Sequence, residues 1–238
     1  MIKVLINGYN GKMGQMVLNQ IKASKDFECI GGTDVSLSIN EITEKPDIII
    51  DFSTPEASLS ILQYAEKNKI PVVIATTGFS DEQTAKIMEY SKTLPIFKSA
   101  NMSYETNLMI ALVSKLAKEL TGSDIEIVET HHNKKVDAPS GTALMIADSI
   151  NEALDHEMYY EYDRHSKRAP RSQKEIGIHS IRGGTEVGKH TVFFFGDNES
   201  LEISHTVTSR AVFANGALKA AKFIINKPAG FYDMKDLV

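Results

Sequence analysis

Over the first hundred residues, short apolar runs alternate with segments whose apolar positions recur at helical spacing. Ile2 to Ile6 is apolar apart from one lysine, which predicts a buried strand. Gly8-Tyr9-Asn10-Gly11-Lys12-Met13-Gly14 follows directly. Met13, Val17 and Ile21 then recur at helical spacing, and Met16 and Leu18 broaden the stripe. Phe27 to Thr33 reads as a second strand, ending at Asp34. Pro46 to Ser53 reads as a third, and its consecutive isoleucines imply burial on both faces. Pro55 suits the first position of a helix. Pro71 to Ala75 is a fourth strand, running into Thr76-Thr77-Gly78; Asp81 to Tyr90 is helical, and Pro95 to Ala100 is a fifth strand. Strands separated by helices in this way predict an α/β fold with a doubly wound, Rossmann-like parallel sheet.

The rhythm then changes. Thr106 to Leu120 reads as a long amphipathic helix, Asp124 to Thr130 as a strand and Thr142 to Leu154 as a helix. His156 to Glu175 is polar and aperiodic, which predicts a long loop whose charges (Asp163, Arg164, Lys167, Arg168 and Arg171) face water. Three strands follow, at Ile176 to Arg182, Glu186 to Phe195 and Ser200 to Thr208. Gly196-Asp197-Asn198-Glu199 joins the last two as a hairpin. Ala211 to Ile225 is a helix stopped by Lys227-Pro228-Ala229-Gly230. The expected organisation is a dinucleotide-binding domain from 1–102 and 211–238, interrupted by a mixed α/β insert at 103–210.

The glycine loop lies between a strand and a helix, and Asp34 stands 20 residues beyond Gly14 at the end of the second strand. That is the context of dinucleotide binding, with the acid accepting from ribose hydroxyls. The glycines fall at 8, 11 and 14, and Asn10 stands where the common pattern has its second glycine. Gly8 can make the tight turn, Gly11 can let backbone approach a pyrophosphate, and Gly14 can permit close packing. An ordinary strand-to-helix turn would show the same glycines. Asp34 should repel a ribose 2′-phosphate and favour NADH, whereas Lys12 could pair with that phosphate, so both NADH and NADPH are expected to be accepted. Ala75-Thr76-Thr77-Gly78 and Ser99-Ala100-Asn101-Met102 end strands four and five, where such folds bind ligands, and offer small polar groups and backbone amides.

Glu129-Thr130-His131-His132-Asn133-Lys134-Lys135-Val136-Asp137-Ala138-Pro139-Ser140-Gly141-Thr142-Ala143 gathers imidazoles, lysines and carboxylates in front of a helix start. Adjacent histidines on a strand point to opposite faces. Histidine donates and accepts protons near neutral pH, and lysine attracts carboxylates or donates a proton. Ser140-Gly141-Thr142 offers hydroxyls and unpaired amides to an anion. Together they suit acid–base chemistry on an anionic small molecule. A capped helix behind a solvated charge run is the bland alternative. His131-His132 lacks the spacing of a zinc helix and has no obvious third ligand, so no metal is expected.

Composition narrows the partners. The 238 residues carry a net charge of −5, which argues against a broad basic surface for nucleic acid. A single cysteine, Cys29, excludes an internal disulfide and is expected to be a buried structural thiol. No run approaches the roughly 18 apolar residues of a membrane span. A strand begins within two residues of Met1, leaving no room for a signal peptide, and the expected compartment is the cytoplasm.

The chain resembles the dihydrodipicolinate reductase (4-hydroxy-tetrahydrodipicolinate reductase) family of the diaminopimelate route to lysine. The segment Glu129 to Ala143 looks like that family's signature. Gly8 to Gly14, Ala75 to Phe79, Ser99 to Asn101, Phe213-Ala214-Asn215-Gly216-Ala217 and Gly230 to Met234 also match, in order, over essentially the whole chain. The resemblance implies reduction of a cyclic dicarboxylate by NADH or NADPH. It assigns His131 as proton donor/acceptor and Lys135 as proton donor, with His132, Gly141 and Thr142 binding substrate. Gly8, Tyr9, Asn10, Gly11, Lys12, Met13, Asp34, Ala75, Thr76, Thr77, Ser99, Ala100, Asn101 and Met102 would hold the cofactor. It further implies that the 103–210 insert binds substrate and oligomerises, commonly as a homotetramer. Lys12 and Asp34 stand where many members have arginine and glutamate, and Lys134 replaces a histidine seen in some. A catalytically silent dinucleotide sensor is the alternative from another class, but it leaves the histidine–lysine segment without a task. A dehydrogenase of another anionic imine or aldehyde is a third reading.

Overall fold

The computed structural model describes residues 1–238, the side chain of Asn40 excepted. The chain forms two compact units, one from 1–104 with 210–238 and the other from 105–209.

The first unit is built on a six-stranded, wholly parallel sheet. Its strands are β1 (Ile2–Asn7), β2 (Phe27–Thr33), β3 (Ile48–Asp51), β4 (Val72–Ile74), β5 (Pro95–Lys98) and a C-terminal strand, Gly230–Tyr232, called β11 below. Across the sheet the order is β11-β5-β4-β3-β1-β2. Strand order therefore reverses between β1 and β3, and such a switch point opens a crevice beyond the strand ends. Helices α1 (Lys12–Ala23), α2 (Pro55–Asn68), α3 (Asp81–Ser91) and α6 (Ala211–Ile224) cover the two faces.

The isoleucine run of β3 shows why the sheet is buried twice. Ile48 and Ile50 enter the core formed with α1 and α6, and Ile49 enters the core formed with α2 and α3. Period-two alternation sends neighbours to opposite faces. Each such side chain contributes about 1.5–3 kcal/mol relative to exposure. The helix ends follow local rules. Thr54 caps α2 ahead of Pro55, and Ser80 with Gln83 forms a capping box on α3.

The second unit holds α4 (Tyr104–Glu119, whose first residue belongs to the other unit), β6 (Asp124–His131), α5 (Gly141–Ala153), β7 (Tyr159–Glu161), β8 (Glu175–Arg182), β9 (Gly188–Gly196) and β10 (Glu199–Val207). Its mixed sheet runs β10-β9-β6-β8-β7, with β6, β8 and β7 parallel. Ala143, Ile146, Ala147 and Ile150 of α5 bury a helical stripe against Ile125, Ile127, Ile178 and Phe194 of the sheet. The β9–β10 hairpin forms as expected from its turn residues, with Asn198 in the left-handed region.

Three expectations need correction. The 156–175 segment is not all loop, because Tyr159–Glu161 pairs with β8. Its charges are not all solvated: Arg164 pairs with the buried Glu175, Lys167 with the buried Glu161, and Arg171 with Asp124. The tail also adds a sixth strand, β11, against β5.

Candidate active site

The crevice of the first unit opens where the chain leaves β1. Gly8 sits at φ +82°, and a Cβ there would lie 2.4 Å from the Phe52 carbonyl oxygen, so the turn requires glycine. Its amide and that of Tyr9 donate to the Thr33 carbonyl at 2.9 and 3.0 Å, tying the loop to β2. A Cβ on Gly14 would meet the Gly8 carbonyl oxygen at 2.2 Å, so α1 packs onto the loop itself. Gly11 caps α1 with no side-chain hydrogen bond, and the helix has no acidic residue in its first turn. Backbone amides at such a start are open to an anion.

Asp34 bridges the two loops that frame the crevice. Its carboxylate accepts from the Asn10 amide at 2.8 Å and the Val35 amide at 2.7 Å. A cavity of about 650 Å³ lies here, lined by Gly8, Asn10, Gly11, Asp34, Ser53 and Thr54 among others. A carboxylate beside a glycine turn too tight for a Cβ at Gly8 or Gly14, next to a helix start without acids, fits the ribose and pyrophosphate of a nicotinamide dinucleotide.

The other residues expected to hold the cofactor serve in several ways. Tyr9 packs over Gly32, where a Cβ would strike its ring. Met13 lies partly buried against the core and Lys12 is exposed at the helix start. The Ala75 amide donates to the Asp51 carbonyl, whereas Thr77 is exposed. Thr76 is buried, donating to Asp51 at 3.0 Å and accepting from the Ser53 amide. Ser99 and the buried Asn101 hydrogen-bond each other, and Ala100 between them is exposed. Met102 is a core side chain, and Gly216 of α6 presses on its carbonyl so closely that a Cβ would approach to 1.6 Å.

Sequence reasoning missed Asp51. It is wholly buried at the end of β3 and accepts from Asn7, Ser53, Ser58 and Thr76, so it knots together β1, β3, α2 and β4 at the crevice floor. Burial pushes its carboxyl up, and the four side-chain donors oppose that shift.

In the second unit β6 carries Glu129 and His131. Its burial alternates strictly, so Glu129 and His131 face inward together, and His131 Nδ1 lies 2.5 Å from Glu129 Oε2. Arg182, at the end of β8, donates to both carboxylate oxygens of Glu129 at 2.6 and 2.8 Å, and the Ser140 amide donates to Oε1 at 3.2 Å. Burial pushes the Glu129 carboxyl up. Hydrogen bonds from Arg182, Ser180 and His131 overcome it and hold the group at about 2. Arg182 also donates to the Asp137 carbonyl at 2.8 Å, clipping down the loop that carries Lys135. Lys135 Nζ meets both oxygens of Asp137 at 2.8 Å, and that contact lowers the Asp137 carboxyl.

Ser140 caps α5, accepting from the Ala143 amide at 3.1 Å, and its hydroxyl lies 2.8 Å from His190 Nε2. The His190 ring stands edge-on to His131 with centroids 5.3 Å apart. Burial, then the neighbouring His131, pushes His190 down to about 4. His132, unlike the buried His131, is partly exposed, and its Nδ1 accepts from the Lys134 amide at 3.2 Å. Gly141 is exposed at the first turn of α5, with no atom within 4 Å of where its Cβ would stand, and Thr142 follows it. This helix start also lacks acidic residues. The unit thus places a held imidazole, an ammonium and an open helix N-terminus on one short stretch of chain. Among the described residues no group of three or more histidines, cysteines or carboxylates is placed to hold a metal ion.

Arg182 and His190 were not legible as site residues, since they lie 53 and 50 positions from Glu129 and Ser140. The signal that finds them is strand register: β6 sets Glu129 opposite His190 and His131 opposite Arg182.

The chain is similar to known proteins along its whole length. Models of the dihydrodipicolinate reductase N-terminus and C-terminus match residues 2–102 and 106–238. A 4-hydroxy-tetrahydrodipicolinate reductase of Caldanaerobacter subterraneus subsp. tengcongensis is 51% identical, over 100% of this chain and 98% of its own. The Brachyspira hyodysenteriae enzyme of that name is 46% identical, with both chains fully covered. Among solved structures, a dipicolinate-bound dihydrodipicolinate reductase from Paenisporosarcina sp. TG-14 covers both chains fully at a TM-score of 0.81 and 25% identity. A myo-inositol dehydrogenase from Corynebacterium glutamicum shares the fold at a TM-score of 0.59 and 14% identity, over 97% of this chain and 90% of its own. With both halves matched and full-length relatives at this identity, the chain belongs to the dihydrodipicolinate reductase family.

Proposed function

We propose that this chain is a 4-hydroxy-tetrahydrodipicolinate reductase. It is an oxidoreductase that takes (2S,4S)-4-hydroxy-2,3,4,5-tetrahydrodipicolinate, NADH or NADPH and a proton to tetrahydrodipicolinate, water and the oxidised cofactor. The observation that supports this reading is the Glu129–Thr142 stretch, which carries an imidazole held by Glu129, the Lys135 ammonium and a helix start without acidic residues.

The Gly8–Met13 loop and Asp34 would hold the cofactor, with Ala75, Thr76, Thr77 and Ser99 to Met102 framing it at the ends of β4 and β5. When bound, the cofactor supplies the hydride. The chain's own residues manage charge and protons. His132 and the start of α5 at Gly141-Thr142 take the substrate carboxylates, since the positive end of a helix dipole favours an anion. Lys135 adds positive charge and donates a proton from Nζ. His131 donates and accepts a proton on its imidazole. Lys12 and Asp34 are consistent with use of both cofactors.

The reading extends to a homotetramer acting in the cytoplasm on a small dicarboxylate. Phe193 and Phe195 support an assembly through the second sheet. They stack at 5.6 Å between centroids on the face turned away from α4 and α5, and Phe195 is exposed. No helix among the described residues is long and apolar enough to cross a membrane.

Nicotinamide absorbance is the test, with substrate generated by the preceding enzyme and NADH and NADPH compared in parallel. Oxidation dependent on substrate is expected. Binding of cofactor without turnover of either would favour a dinucleotide sensor. Light scattering tests the tetramer.

A further inference from the structure

We propose that Glu129 is the positioning residue that sets the tautomer of His131, leaving Nε2 as the atom that exchanges the proton. The proposal rests on the reading of His131 as the proton donor/acceptor.

Glu129 is fully buried, and an ionised carboxylate only accepts hydrogen bonds. His131 Nδ1, 2.5 Å from Oε2, must therefore carry the hydrogen, and Nε2 is left bare when the ring is neutral. Two donors from Arg182 and the amide of Ser140 keep the carboxylate charged and in place. Nδ1 is thus committed to the protein interior.

Beside Nε2 stands a glycine. At Gly188, the first residue of β9, a Cβ would stand 3.0 Å from His131 Nε2 and 3.4 Å from Cδ2. Gly188 is not in the left-handed region, so the reason for glycine there is steric. One carboxylate holds one nitrogen, and at Gly188 no side chain crowds the other.

Glu129→Gln would put a donor on the carboxylate's site. At the Oε1 position the new amide nitrogen would face the Ser140 amide and Arg182, two donors that cannot become acceptors. At the Oε2 position it faces Arg182 and an imidazole, which can turn acceptor by moving its proton; the Ser180 hydroxyl, which also bonds Glu129, can rotate to accept and does not oppose that placement. The amide should settle there and donate to Nδ1, reversing the tautomer.

Nitrogen-15 NMR of the histidine side chains, with His131 assigned by its loss in His131→Gln, reads this directly. The wild type is expected to show hydrogen on Nδ1 of the neutral ring, the minor tautomer of free histidine in water. Glu129→Gln is expected to show it on Nε2, with kcat lowered roughly 10²-fold and the NADH KM unchanged. Gly188→Ala is expected to keep the wild-type tautomer while lowering kcat, because its methyl crowds Nε2. Hydrogen on Nε2 in the wild type, or an unchanged tautomer in Glu129→Gln, overturns the proposal. If Glu129→Gln does not fold, the wild-type spectrum and Gly188→Ala decide. The spectra need no substrate, so an inactive wild type would sink the reductase reading while leaving the tautomer result intact.

Discussion

Both carboxylate oxygens of Asp137 lie 2.8 Å from the Lys135 ammonium, two residues away on the loop before α5. Asp137 is largely exposed, whereas the lysine side chain is mostly covered, so the pair holds Lys135 against the unit without sealing it from an incoming anion. The Lys135→Ala variant should lose activity by about 10²–10⁴-fold in kcat, the usual worth of a positioned proton donor. Its NADH affinity should be unchanged, because the glycine loop is untouched. Turnover near the wild-type value would remove the lysine from the mechanism.

Asp34 has a structural role beside the ligand role proposed for it. Removing its carboxylate in Asp34→Ala takes away the acceptor of the Asn10 amide as well as the expected ribose partner. NADH binding should weaken about tenfold or more, the worth of a hydrogen bond to a charged group. NADPH should suffer less, because repulsion of its 2′-phosphate is relieved. Fluorescence titration with each cofactor checks this, and an equal loss for both would count against the ribose contact.

Gly216 predicts a coupling between α6 and the loop after β5. A methyl group there would enter the Met102 carbonyl, 1.6 Å from where Cβ must stand, and backbone cannot rotate away as a side chain can. Gly216→Ala should lower stability by about 1–3 kcal/mol through overpacking and shift the Ser99–Met102 loop. Thermal unfolding measures the first effect, and NADH titration the second. A fully stable variant with normal cofactor affinity would show that the loop yields freely.

Acid should destabilise the second unit in two stages. His190 falls from an ordinary 6.5 to about 4, so between these values the unfolded chain binds a proton that the folded chain refuses. Stability attributable to it is full above pH 6.5 and is lost as pH falls toward 4. Glu129 falls from 4.5 to about 2, so its contribution is full above pH 4.5 and is lost on the way to pH 2. Each shift corresponds to about 3 kcal/mol. Urea unfolding of wild type and His190→Gln across this range checks the sign: the variant should lack the loss between pH 6.5 and 4 and keep the one below it.

Much of this protein follows from local rules. Period-two and period-3.6 patterns, Pro55 at a helix start, Ser80 with Gln83 and the Asp197-Asn198 turn act within a few residues of themselves. The strands of the parallel sheet could therefore be read before their partners were known, except for β11. The pair Glu129 and His131 was not read from the sequence, which ended that strand at Thr130; β6 runs on to His131, and residues two apart on a strand share a face.

Tertiary structure decided the rest. β7 and β11 have three residues each and, unlike the equally short β4, no unbroken aliphatic run to mark them; they form by pairing with β8 and β5. Arg171 looked solvated until strand pairing put Asp124 beside it. The composition of the signature segment, with its acid–base groups before a helix start, was determined by sequence alone. Which nitrogen of His131 is held and what keeps Glu129 charged depend on Arg182, brought from 53 residues away by parallel pairing of β6 and β8. Side chains that far apart meet only through the register of a whole sheet, which no local pattern encodes.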